Sequence, residues 1–113
     1  MKEIKIEKLT ETEAKVLYDD MVISKRIITK QRDNSDRMSF HHVVIKAGWE
    51  HAVSYDDEDE IIYFLDGKAT ISWDGEEVEV SADSCVYVPS GCEYKYQGKE
   101  DATMVCVFSP PAE

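Results

Sequence analysis

Long apolar runs are missing from this chain of 113 residues. Stretches such as Ile61 to Leu65 and Met104 to Phe108 fall far short of the roughly 20 apolar residues a membrane-spanning helix needs. Bases are scarce as well: 13 against 24 acids, for a formal net charge of -11. A surface of that sign repels phosphate backbones and anionic lipid, so neither nucleic acid nor membrane is expected as a partner. The opening "MKEIKIEKLTETEAK" is too charged for the apolar core of a signal peptide, which places the protein in the cytoplasm. Only three cysteines occur, Cys85, Cys92 and Cys106, and none forms a C-x-x-C pair. In that compartment they read as reduced, packed thiols, with Cys92 beside a turn and the one open to exposure. Linkers, repeats and low-complexity segments are also lacking. With 42% hydrophobic residues the chain is globular, and its length allows one domain, residues 1–113, around one core.

The residues that are present alternate. In "EIKIEK", Ile4 and Ile6 alternate with charges as in a short strand. Thr10 with Glu13 three residues on forms a capping box and predicts a short helix in "TETEAKVLYDD". From there the period is two. "DMVISKRIIT" and "MSFHHVVIKA" read as strands separated by the polar turn "KQRDNSD". "IIYFLDGKATISW" gives two β-rich runs bent at Asp66-Gly67, and "ATISWDGEEVEV" a hairpin on Asp74-Gly75, residues that tolerate the positive φ of a type I′ turn. "SCVYV" stops at Pro89, Gly91 supplies a left-handed turn residue, and "CEYKYQ" and "ATMVCVF" follow. Seven to nine short strands predict an all-β barrel or jelly roll. Its N-terminal strand and helix segment covers 1–35 and its barrel core 38–108.

The same alternation selects candidate site residues. If Glu60 points inward, Ile62 and Phe64 do too, while Ile61, Tyr63 and Leu65 face out. Both faces of this strand are apolar. One therefore covers a lumen, and the other suits a partner copy, so a homodimer is expected. An interior Glu60 carboxyl would carry a raised pKa suited to acid/base work. Its neighbours Asp57, Glu58 and Asp59 are assigned to solvent, and the run lacks the D-x-D-x-D-G spacing of a calcium loop. Tyr87 and Tyr94, around Pro89, offer apolar bodies with polar tips for a pocket wall, whereas Tyr96 reads as packing. His41 and His42 must face opposite ways, and His42 is taken as the ligand-facing one. Trp49 and Trp73 read as rim and core aromatics.

Spacings across the centre resemble the two motifs of the cupins, G-x5-H-x-H-x3-E-x6-G and G-D-…-P-x-G-x2-H. Here Gly48, Ser54, Asp56, Glu60 and Gly67 follow the first; Asp83, Pro89, Gly91 and Tyr94 follow the second. The likeness covers about residues 38–108 and implies a single-domain, RmlC-like cupin barrel. In metal-binding cupins three histidines and the glutamate hold a first-row metal. This chain has Ser54, Asp56 and Tyr94 at the histidine positions and keeps Glu60 alone. Within the cupins, "SFHHVVIKAG", "SYDDEDEIIYFLDG" and "MVCVFSPP" are similar to the small ectoine-synthase-like enzymes. Their iron site, a Glu, a Tyr and a His, would fall on Glu60, Tyr87 and Tyr94. The ethanolamine-utilisation cupin is a second relative by pattern.

These readings converge on a small-molecule cupin enzyme performing non-redox acid/base chemistry, of lyase, isomerase or cyclase type, on a small polar metabolite. Glu60, Tyr94 and Tyr87 are its candidate catalytic residues. Asp56, Ser54, His51 and His42 are its candidate binding residues. No cofactor follows from the residues. Were a divalent metal bound, Glu60, His51 and Tyr87 would be its ligands. Two alternatives stay open: a metabolite-binding sensor without catalysis, and a metal-dependent dioxygenase with an atypical site.

Overall fold

A computed structural model describes residues 3–113. Ten antiparallel strands form two sheets. β1 (Ala14–Leu17), β2 (Val22–Ile28), β3 (Ser39–Ile45), β5 (Asp59–Asp66), β8 (Cys85–Val88) and β10 (Ala102–Ser109) build the larger one, in the order β1-β2-β3-β10-β5-β8. β4 (Glu50–Val53), β6 (Lys68–Trp73), β7 (Glu76–Ser81) and β9 (Tyr94–Gly98) build the smaller, in the order β4-β9-β6-β7. The all-β expectation holds. Among the described residues no helix is long and apolar enough to cross a membrane.

Helical structure is reduced to single turns. The helix expected from the Thr10/Glu13 capping box is absent: one 3-10 turn, Leu9–Glu11, has Lys8 as its N-cap with no side-chain cap bond, and Ala14–Leu17 is strand β1. The alternative partner explains this: β1 pairs in register with β2, Ala14 opposite Lys25 and Leu17 opposite Val22. Four ladder positions on a β-rich neighbour outweigh an isolated helix too short to be stable in water. The one α-helical turn, α1 (Lys30–Asp33), lies in the segment read as a polar turn. Thr29 caps it by accepting from the Arg32 N–H at 3.1 Å, and Asp33 accepts from the Thr29 N–H at 2.9 Å. "EIKIEK" belongs to no strand, and β4 forms in a segment to which no strand was assigned.

Two turns have conformations their residues make possible. Asp74 and Gly75 have φ of 45° and 79°, the left-handed pair a β6–β7 type I′ hairpin needs. Gly67, at φ +91°, joins β5 to β6, and a Cβ there would sit 2.3 Å from the Asp101 carbonyl oxygen. Only glycine fits. A third turn is costly: Tyr18, Asp19 and Asp20, between β1 and β2, have φ of 53°, 53° and 67°.

Period-two alternation sorts β5 as expected. Glu60, Ile62 and Phe64 are 4%, 2% and 0% exposed, against 43%, 36% and 48% for Ile61, Tyr63 and Leu65. The inward residues join Ala69, Ile71, Tyr96, Met104 and Phe108 in the core between the sheets. Burying such side chains contributes about 1.5–3 kcal/mol each. On the outside, strand register lines up two rows across the larger sheet: Phe40, Val107, Ile61, Tyr87, and beside it His42, Val105, Tyr63, Cys85. Neither row contains a carboxylate. The Tyr63 and Tyr87 hydroxyls donate to Asp83 and Asp59, at 2.7 and 3.2 Å.

Candidate active site

One pocket of about 430 Å³ opens between the sheets. β5 supplies Glu60, β9 supplies Tyr94 and Tyr96, β10 supplies Cys106 and Phe108, and β3 supplies His41. Each points inward because it lies in phase with core neighbours on its own strand: Glu60 with Ile62, Tyr94 with Tyr96, Cys106 with Met104 and Phe108.

Glu60 is the chemical centre of this pocket. Burial raises its pKa to about 7, and the Tyr94 hydroxyl and Cys106 thiol beside it pull the other way. Tyr94 donates to its Oε1 at 3.1 Å. Burial, with the Glu60 charge next, pushes the Tyr94 phenol well above its ordinary value, and the Cys106 thiol likewise. Phenol and thiol therefore stay protonated, while the carboxyl divides between its two forms near neutral pH. Such a group can both give and take a proton.

His41 faces this lumen and His42 does not, correcting the assignment of His42 to the ligand. Ser39, His41 and Val43 share the inward phase of β3, while His42 stands in the outward row. Burial, and the nearby Arg26 charge, lower the His41 pKa to about 4, so its ring is neutral at pH 7. Its Nε2 sits 2.9 Å from Ser39 Oγ. Arg26, also lining the pocket, pairs with Glu113 at 3.2 Å.

Three further expected residues lie elsewhere. Tyr87 is 61% exposed on the outer sheet face, because its β5 partner is the outward Ile61. Asp56 is exposed and does not line the pocket. His51 is on β4 and exposed at the rim, its ring stacked on Trp49 at 5.4 Å and its Nδ1 held 2.7 Å from the Ala52 carbonyl. Ser54 does reach the pocket wall. Trp49 is at the rim with Tyr18, 5.1 Å away, whereas Trp73 is exposed at the hairpin rather than in the core. Of the cysteines only Cys106 is fully packed; Cys85 is exposed and Cys92 intermediate.

Several pocket residues were not among the candidate site residues. Tyr55 lies between the two motif positions, Ser54 and Asp56, and itself lines the pocket at 4.7 Å from Phe108. Cys106 was readable from the phase of "MVCVF". Tyr96 is more than packing: it is 2% exposed, and its hydroxyl has no hydrogen-bond partner. An unsatisfied buried hydroxyl costs about 1–3 kcal/mol.

The iron ion implied by resemblance does not fit these residues. Among the described residues no group of three or more His, Cys, Asp or Glu side chains converges to hold a metal. Of the three implied ligands, Tyr87 is on the wrong face and Tyr94 stands in for the histidine. Glu60, His51 and Tyr87, the alternative ligand set, are likewise not brought together. Around Glu60 this pocket presents protonated oxygen and sulfur groups, Tyr94 and Cys106.

The ectoine synthase family model matches residues 1–113. L-ectoine synthase of Halalkalibacterium halodurans is 30% identical over 113 residues, covering 98% of this chain and 85% of that protein. The crystal structure of ectoine synthase from P. lautus superposes with a TM-score of 0.84 at 22% identity, covering 96% of this chain and 79% of that one. An RmlC-like cupin from Shewanella frigidimarina superposes with a TM-score of 0.80 at 13% identity, covering 98% and 95%. The cupin fold is thereby established.

Proposed function

The chain belongs to the ectoine synthase family of cupins, and from that premise we propose that it is a small-molecule enzyme of lyase or cyclase type. Proton transfer by Glu60 is its central step. The single observation carrying this reading is the buried Glu60 carboxyl, with a pKa near 7, bonded to Tyr94 inside a pocket of about 430 Å³. That volume suits a metabolite-sized ligand. Ionised Glu60 removes a proton from the substrate, and protonated Glu60 returns one to a leaving oxygen or nitrogen. Tyr94 holds the carboxyl in place and stays a donor throughout. Tyr55 with Phe108 packs the apolar part of the ligand. L-ectoine, after which the curated relatives are named, is the first ligand proposed. The same proposal includes a cytoplasmic homodimer with the outer face of the larger sheet covered.

Calorimetry with L-ectoine, alongside NMR detection of its formation or consumption, tests this. Glu60→Gln keeps the shape and removes the titrating proton, so turnover should fall by about 100-fold or more while ligand binding persists. Undiminished turnover in the variant overturns the role of Glu60. Saturable binding with no turnover in the unmodified protein favours a binding module instead.

A further inference from the structure

The chain has three histidines, and none of them offers Glu60 a neighbouring nitrogen lone pair. His42 stands on the outer face of the larger sheet. His51 is exposed on β4 and does not line the pocket, its ring lying against Trp49 and Tyr18. His41 does line the pocket, but its ring is committed elsewhere. Ser39 is 0% exposed, and its Oγ accepts from the Ala112 N–H at 3.0 Å. Among the described residues that hydroxyl has one other partner, His41 Nε2 at 2.9 Å, so its hydrogen goes there. The Nε2 lone pair is thereby used, and the one proton of the neutral ring sits on Nδ1.

Oxygen and sulfur donors around Glu60 are committed too. The inward positions of β8 are Val86 and Val88, and Val88 is the residue paired with Glu60. Tyr94, at the position of the last cupin-motif histidine, gives its hydroxyl to Glu60 Oε1 at 3.1 Å. Cys106, fully packed on β10, bonds the same carboxyl with its thiol. Burial keeps the proton on both donors, and on the Tyr55 phenol of the same pocket. A metal ion needs the opposite of each, a deprotonated ligand with a free lone pair.

We infer that the Glu60 site of this chain excludes a metal ion, the Tyr94 hydroxyl and the Cys106 thiol holding the carboxyl where the cupin motif would set a metal-bound histidine. The inference deepens the proposed role of Glu60. Tyr94 is then a positioning residue for that carboxyl, and it is also what keeps a cation out. An imidazole in its place would stand beside one carboxyl and one thiol, a donor set suited to zinc or cobalt.

Metal uptake tests this without reference to turnover. The full chain, purified without a histidine tag, is dialysed against Fe(II) under anaerobic conditions, and separately against Zn(II) and Co(II). Bound metal is then measured by elemental analysis, beside Glu60→Gln. A surface of net charge -11 holds some cation in both proteins, so the difference between them reports on the site. That difference should stay below about 0.1 equivalent for every metal, and a larger one overturns the inference. Tyr94→His should bind Co(II) at least about tenfold more tightly than the unmodified chain, with a thiolate-to-cobalt absorption band that Cys106→Ser removes. Equal affinity in the two proteins also overturns the inference. The catalytic reading is judged apart. Turnover that needs Glu60 and stops with a chelator overturns metal exclusion and leaves Glu60 its role. Absence of turnover with no metal taken up removes that role and leaves metal exclusion standing.

Discussion

β5 presents two apolar faces, and only one is accounted for inside a single copy of the chain. Inward, Ile62 and Phe64 meet the smaller sheet and Glu60 meets the pocket; outward, Ile61, Tyr63 and Leu65 are exposed. Equal hydrophobicity therefore has two origins. The inner face is apolar because a core must be filled, and its one polar member is kept close to neutral by that same burial. The outer face is largely apolar in a chain rich in acids, and its tyrosine hydroxyls donate to Asp83 and Asp59.

Substitutions that separate the two faces sharpen this contrast. The largest effect expected is on chemistry: Glu60→Gln should lower turnover about 100-fold or more, measured by NMR under saturating substrate, with the fold retained by circular dichroism. Next, Phe64→Ala, at a position 0% exposed, should cost about 3–5 kcal/mol in urea unfolding. Its outward neighbour Leu65→Ala should cost less than half as much. Equal losses at the two sites would break the distinction. Third comes pH. Glu60 has a folded pKa of about 7 against an ordinary 4.5. The folded state binds the proton more tightly, so the stability this gives is full below pH 4.5 and is lost as pH rises through 7. Stability at pH 9 relative to pH 4 should recover by on the order of 3 kcal/mol in Glu60→Gln, compared by denaturant titration at both values. A pH slope unchanged by the substitution would place the titrating group elsewhere. Smallest among these, Gly67→Ala should destabilise by about 1–3 kcal/mol, since a methyl there meets the Asp101 carbonyl at left-handed φ.

Much of this was legible in the chain because a strand's phase is local. "IIYFL" and "HHVV" each contain enough residues to state which positions share a face, and the Asp-Gly pair at 74–75 states its own turn. What phase leaves open is polarity: it separates His41 from His42 without saying which is inside, and that choice is made by the partner strands on either side of β3. Tyr87 failed for the same reason, being fixed outward by its pairing with Ile61 rather than by anything in "SCVYV". The N-terminal helix signal misled, because a capping pattern is local and the long-range ladder with β2 takes residues 14–17 into a strand. Tyr55 was hidden by its setting, an aromatic among acids whose neighbours Ser54 and Asp56 drew the attention of spacing. The unpartnered hydroxyl of Tyr96 is not visible to any pattern, because absence of a partner is a property of three dimensions.

The turn of three left-handed residues between β1 and β2 gives the pocket mouth an adjustable part. Tyr18 leans on Trp49 and His51, at 5.1 and 4.9 Å, from a backbone that asks about 1 kcal/mol or more of each non-glycine residue in it. Asp19 and Asp20 are exposed and touch no group inside the pocket. Exchanging either for glycine relaxes the turn and loosens the aromatic rim, leaving the carboxyl and its proton untouched. Ligand selection at the entrance can thus be retuned from the surface, by residues that never meet the ligand.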